Sequence, residues 1–131
     1  MSYAENMAAQ DEAVARGADD ALLVAHDGTI LEAPTANVWL RQGSTLLTPS
    51  LELPILAGVT RATVAELAPG AGFTVEEGRL PLDRIQVAEE VFITSSIREV
   101  MPVAAVDQTS FRLGPASREL QRLLREEATR A

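Results

Sequence analysis

Hydrophobic positions change their period along the chain, and each change marks an element. Ala4, Met7, Ala8 and Val14 fall at helical spacing over residues 4–16, and Gly17 suits the stop. Residues 20–25 (Asp-Ala-Leu-Leu-Val-Ala) form a short apolar run that reads as a buried strand. Asp27-Gly28 is a hairpin signal, with Thr29–Glu32 as the return strand. Asn37–Arg41 is another strand, which Gln42-Gly43 turns into Ser44–Thr48. A loop over Pro49–Pro54 leads to Gly58 and a helical stretch, Val59–Ala68, that ends at Pro69-Gly70. Phe73–Glu77 alternates as a half-buried strand. Asp83 is expected to cap a short helix over Arg84–Ala88. Val91–Thr94 and Val100–Val106 read as strands, the latter with Pro102 near its start, and Gln108–Phe111 as a final short strand. Gly114-Pro115 opens the last helix, Ala116–Ala128, with Leu120, Leu123 and Leu124 on its apolar face. Hairpins mixed with crossover helices, without repeat or linker, predict one α/β (α+β) domain spanning 1–131.

Composition narrows the chemistry. A length of 131 residues and a hydrophobic share of 47% suit a compact globular domain. No apolar run approaches the roughly 18 residues of a membrane span, and Met1–Asn6 lacks the basic and apolar regions of a signal peptide. A net charge of -8 argues against nucleic acid and anionic membrane as partners. Without cysteine there is no disulfide, thiolate metal site or Cys nucleophile, and the single histidine, His26, excludes a two-histidine site. All 11 basic residues are arginine, which a high-GC genome explains. The consequence is chemical: lysine reactions, including Schiff-base formation, are excluded for the chain as given.

Three stretches could carry a site. Gly58-Val59-Thr60-Arg61 lies where a loop becomes a helix. It reads either as an anion site, built from free N–H groups, the macrodipole and the Thr60 hydroxyl, or as an ordinary loop–helix junction. Thr94-Ser95-Ser96 offers hydroxyls at a strand end, to a phosphate or carboxylate or simply to water. Glu32 ends a strand, where a carboxylate could hold a protonated ring nitrogen, act as a base, or stand exposed. His26 reads as a surface turn residue. The adjacent acidic pairs 19–20, 76–77, 89–90 and 126–127 read as solvated edges rather than catalytic dyads or metal sites, because neighbours in sequence do not share a face.

Together these segments resemble the C-terminal domain of the class IV pyridoxal 5'-phosphate (PLP) aminotransferases, a family that includes branched-chain and D-amino acid aminotransferases and aminodeoxychorismate lyase. The resemblance runs from about Ser2 to the last helix. Its anchors keep family order: Ser2–Asn6, Gly17–Leu23, Leu31–Trp39, Thr48-Pro49, Leu56–Arg61, Glu89–Ser96, Arg98–Val103 and Gly114-Pro115.

The resemblance implies that Glu32 pairs with the PLP pyridine nitrogen and that Val59, Thr60 and Ser96 hold the phosphate. It implies that Leu56 packs on the ring and Tyr3 reaches the phenolic oxygen, while the turn at Ile97-Arg98 offers its backbone to the substrate carboxylate. In the family the Schiff-base lysine lies just before the residue matched by Tyr3, and a small N-terminal domain supplies a phosphate-binding arginine and much of the substrate pocket. Ala33 and Ala57 replace a common glycine and proline, swaps that look tolerable. The chain is therefore expected to be the distal part of a longer enzyme, missing its first strand and small domain and inactive alone. Met1 would then be an internal methionine or a fragment's edge.

The activity implied for the parent is amino-group transfer between an amino acid and a 2-oxo acid, by a cytoplasmic homodimer. Aminodeoxychorismate lyase and a non-catalytic PLP-binding or interaction module are the alternatives. The expected intact mass of the native polypeptide is well above 14.0 kDa, with a lysine immediately ahead of Ser2-Tyr3. Mass spectrometry of the native protein checks this, and a mass of 14.0 kDa would contradict it.

Overall fold

The computed structural model describes the backbone of residues 3–130 and the side chains of residues 8–129. The chain runs α1 (Tyr3–Ala15), β1 (Leu23–Val24), β2 (Ile30–Glu32), β3 (Asn37–Gln42), β4 (Thr45–Pro49), α2 (Val59–Leu67), β5 (Thr74–Gly78), β6 (Glu90–Ser95), β7 (Glu99–Pro102), β8 (Ala105–Val106), β9 (Thr109–Ser110) and α3 (Pro115–Arg130). This is the mixed α/β class expected from the pattern. β5, β4, β3, β6 and β7 form a five-stranded sheet in that order. Its pairs are antiparallel except β4 with β5, which α2 joins as a crossover.

The central strands are buried on both faces, so they read as nearly continuous apolar runs. Val38, Leu40, Leu47, Val91 and Ile93 face one core with Ile30 and Ile85. The alternate residues Trp39, Leu46 and Phe92 face the other, covered by Val64 of α2 and Leu120 of α3. Trp39 and Phe92 are opposite one another in the β3–β6 ladder, their rings stacked with centroids 5.8 Å apart. A third, smaller cluster of Leu23, Leu31 and Leu53 seats α1 through Ala9 and also takes in Ile55 of the loop before α2.

Glu90 ties these layers together. It is 2% exposed, pairs with Arg41 at 2.8 Å, and accepts the N–H groups of Ala116 and Ser117 at the start of α3. A carboxylate there caps orphan donors and meets the positive end of the helix dipole. Gly114 runs so close that an added Cβ would lie 2.6 Å from the Glu90 carboxyl carbon, so only glycine fits. Arg41 is also seated over the Phe73 ring at 5.4 Å.

The structure corrects several boundaries. The run over 20–25 keeps only Leu23–Val24 as strand, because Asp20 Oδ1 accepts the Ala21 N–H in a local turn. Residues 82–87 form a 3-10 helix with Pro81 at its N-cap and no side-chain cap, so Asp83 lies inside its first turn. The stretch 100–106 divides into β7 and β8, with Pro102 closing β7 rather than opening the strand. Asp107, at φ 51°, turns β8 into β9, which spans only 109–110 of the expected 108–111. Glu90 also overturns the reading of 89–90 as a solvated edge. No described helix is long and apolar enough to cross a membrane.

Replacing Glu90 by alanine strands Arg41 and two helix N–H groups together. The expected loss is about 3 kcal/mol of unfolding free energy, read from the denaturant midpoint. Gly114→Ala should destabilise by about 1–3 kcal/mol through the same contact. A change below about 0.5 kcal/mol in both would contradict this role for Glu90.

Candidate functional site

The site is built at one end of the sheet, where β2 ends, β3 begins and β6 ends. Residues 33–36 make a tight turn in which Ala33 and Ala36 exchange backbone bonds of 2.9 and 3.3 Å. This sets Glu32 and Asn37 on its two arms. Both reach the backbone of Leu56, one on the peptide before it and one on the peptide after it. Glu32 Oε1 accepts the Leu56 N–H at 3.0 Å, and Asn37 Nδ2 donates to the Leu56 carbonyl at 2.8 Å.

The loop then enters α2 through Gly58. Its φ of -67° needs no glycine, but its surroundings do: an added Cβ would overlap Asn37 Oδ1. Gly58 is the N-cap of α2, provides no side-chain cap, and no acidic residue occupies the first turn. The leading N–H groups of α2 and the half-buried Thr60 are thus set for an anion. Beneath them Arg61 is buried, donating to the Pro49 carbonyl at 3.0 Å and pairing with Glu77 at 2.5 Å.

The hydroxyl-rich turn arrives through β6. Thr94 lies opposite Asn37 in the β3–β6 ladder, and its buried hydroxyl accepts the Trp39 indole N–H at 3.1 Å. Ser95 Oγ accepts the Arg98 N–H at 2.9 Å, so a ligand at the Arg98 amide must share or displace that hydroxyl. Ser96 is exposed. Arg98 pairs with Asp20 at 3.1 Å, so the 19–20 pair is not wholly a solvated edge either. Glu99 follows at φ 58°, held by Gln121 and Arg125.

Electrostatics single out Glu32. It is 7% exposed, and burial pushes its carboxyl above the ordinary glutamate range, which the Leu56 N–H offsets only in part. A cation brought to it would reverse that shift. The loop before α2, its first residue and the β6–β7 turn leave apolar side chains open: Leu56 is 71% exposed, Val59 80% and Ile97 90%.

The structure therefore joins Glu32, Leu56, Val59 and Thr60 through one bonded loop, and the β3–β6 ladder brings the turn of Ser96, Ile97 and Arg98 to the same end. Tyr3 opens α1, but its side chain lies outside the described residues. His26 sits exposed at its turn. Among the described residues no group of three or more His, Asp or Glu is arranged to hold a metal. Sequence reasoning missed Asn37 as a contributor. Its signal is a polar residue opening an otherwise apolar strand, with its partner 19 residues on.

A carboxyl raised by burial destabilises the folded state as it ionises. Stability from this group is full below its unfolded pKa and falls as pH rises through the folded value. Glu32→Gln keeps an oxygen for the Leu56 N–H and removes the charge. The ligand-free variant should unfold at higher denaturant than the parent near pH 8, and the two should converge near pH 4. A variant less stable than the parent at pH 8 would contradict the burial of this charge.

Comparison with known proteins places the chain among relatives. The family described as amino-transferase class IV matches residues 1–106. A branched-chain-amino-acid aminotransferase of Pseudomonas aeruginosa is 32% identical over 124 residues, covering 92% of this chain and 40% of that protein. An aminodeoxychorismate lyase of Bacillus subtilis is 32% identical over 127 residues, covering 95% of this chain and 43% of that protein. Among solved structures, an aminotransferase from Brucella abortus bound to the co-factor PLP superposes with a TM-score of 0.91 at 30% identity, covering 97% of this chain and 45% of that one. The chain thus spans less than half the length of these relatives.

Proposed function

The chain belongs to the class IV amino-transferase family, and from that premise we propose that it is the PLP-holding part of an enzyme that moves an amino group between an amino acid and a 2-oxo acid. One observation carries the reading: a buried carboxylate, Glu32, accepts the Leu56 N–H of the loop that enters the uncapped start of α2. That donor set fits a ligand with a basic ring nitrogen at one end and a phosphate at the other.

Glu32 would accept a hydrogen bond from the ring nitrogen and hold its proton there, relieving the desolvation that raises its own pKa. The N–H groups of Val59 and Thr60, the Thr60 hydroxyl and the Ser96 hydroxyl would hold the phosphate. Leu56 and Val59 are open to pack on the ring and exclude water from it. The substrate carboxylate would meet the Ile97 N–H, and the Arg98 N–H once the Ser95 hydroxyl turns away. Tyr3 would reach the phenolic oxygen. Bound PLP supplies an electron sink for the charge that develops at the substrate α-carbon. None of the 11 basic residues is lysine, so the amine that anchors the cofactor comes from another segment. A cytoplasmic homodimer completes the reading.

The lyase reaction is the second reading, favoured by the likeness to the Bacillus subtilis enzyme. The native polypeptide, assayed with branched-chain amino acids and 2-oxoglutarate, is expected to yield glutamate. Release of pyruvate from aminodeoxychorismate instead would establish the lyase. PLP uptake without either reaction would leave a binding module, and no uptake would overturn the reading. In the active enzyme, Glu32→Gln should lower kcat about 10²-fold, the size of losing a preorganised electrostatic partner. An unchanged kcat would remove Glu32 from the site.

A further inference from the structure

Asn37 joins the loop before α2 to the head of the central sheet. It is 4% exposed and lies at the head of β3. Through the Ala33–Ala36 turn it is tied to Glu32, and through the β3–β6 ladder to Thr94 and the hydroxyl-rich turn. Its Nδ2 holds the Leu56 carbonyl at 2.8 Å, while its Oδ1 fills the space where Gly58 would carry a side chain. Leu56 is therefore gripped on both sides, through the peptide before it by Glu32 and through the peptide after it by Asn37. Turning either peptide breaks one of these bonds. Two residues later, at Gly58, the chain reaches the N-cap of α2.

We propose that Asn37 is a positioning residue that fixes the span between the Glu32 carboxylate and the N-terminus of α2, so that the site favours a ligand engaging both at once. This rests on the PLP reading above. The residue type follows from the chemistry. Only a neutral amide of this length donates to the Leu56 carbonyl while adding no second negative charge near Glu32. An aspartate there would repel the carbonyl, and an apolar residue would leave it only the Gly58 N–H at 3.1 Å, a local bond that does not tie it to β3. Gly58 belongs to the same device, because a methyl at 58 would press on the Asn37 amide.

The test compares PLP with pyridoxal, which lacks the phosphate, on the apo form of the native polypeptide, well below its melting temperature. The ratio of the pyridoxal Kd to the PLP Kd reads what the phosphate contributes when the ring is also bound. In Asn37→Ala that ratio is expected to fall about tenfold, the size of one lost hydrogen bond. A merely structural role would lower Tm and leave the ratio alone. Gly58→Ala, with Asn37 in place, should lower the ratio similarly, and it stands as the test if Asn37→Ala does not fold. The unsubstituted ratio in a folded variant overturns the inference while leaving the PLP reading intact. If the unsubstituted protein binds neither ligand, the PLP reading fails and the inference with it.

Discussion

The backbone of Leu56 is held on both sides, its N–H by Glu32 and its carbonyl by Asn37. These bonds fasten the loop before α2 to the mouth of the sheet. Without them the helix would still pack through Val64 and hold Pro49 and Glu77 through Arg61, but the loop that enters it would lose its bond to Glu32. The clamp also explains why polar groups are buried at the end of an apolar core. Each has a partner there, and an unpartnered one would be expensive.

The sheet makes that clamp possible. Strands β3 and β6 are sealed on both faces, so their ends are rigid and only the loops beyond them are open to solvent. Far from the clamp, at the opposite end of β6, Glu90 fastens α3 and Arg41 in a second polar knot. Between these two knots lies the stacked pair of Trp39 and Phe92. A burial-raised carboxyl such as Glu32 persists because this frame leaves it no room to relax. The same energetic tension makes it a receptive partner for a cation.

The sequence pattern made the frame readable. Nearly continuous apolar runs mark the central strands because neighbouring residues face two different cores, and Gly17 and Pro115 bound helices for stereochemical reasons. Short elements were less legible. Val100–Val106 reads as one run by composition, yet the chain turns after Pro102, a break set by pairing with Phe92. Acidic pairs read as solvent-facing by adjacency, but Glu90 and Asp20 find partners 49 and 78 residues away. At the site, the residue types of Glu32, Val59, Thr60 and Ser96 left more than one meaning open, and only the family resemblance attached a role to each. Asn37 looked like a strand's polar first residue. Its role depends on a loop that local periodicity does not place.

Amide hydrogen exchange at Leu56 tests the clamp most directly, because that N–H is the one Glu32 holds. The account predicts that the Leu56 N–H, on a residue whose side chain is 71% exposed, exchanges slowly in the parent protein and fast in Glu32→Ala. Exchange in the parent at the rate of an open loop would contradict it.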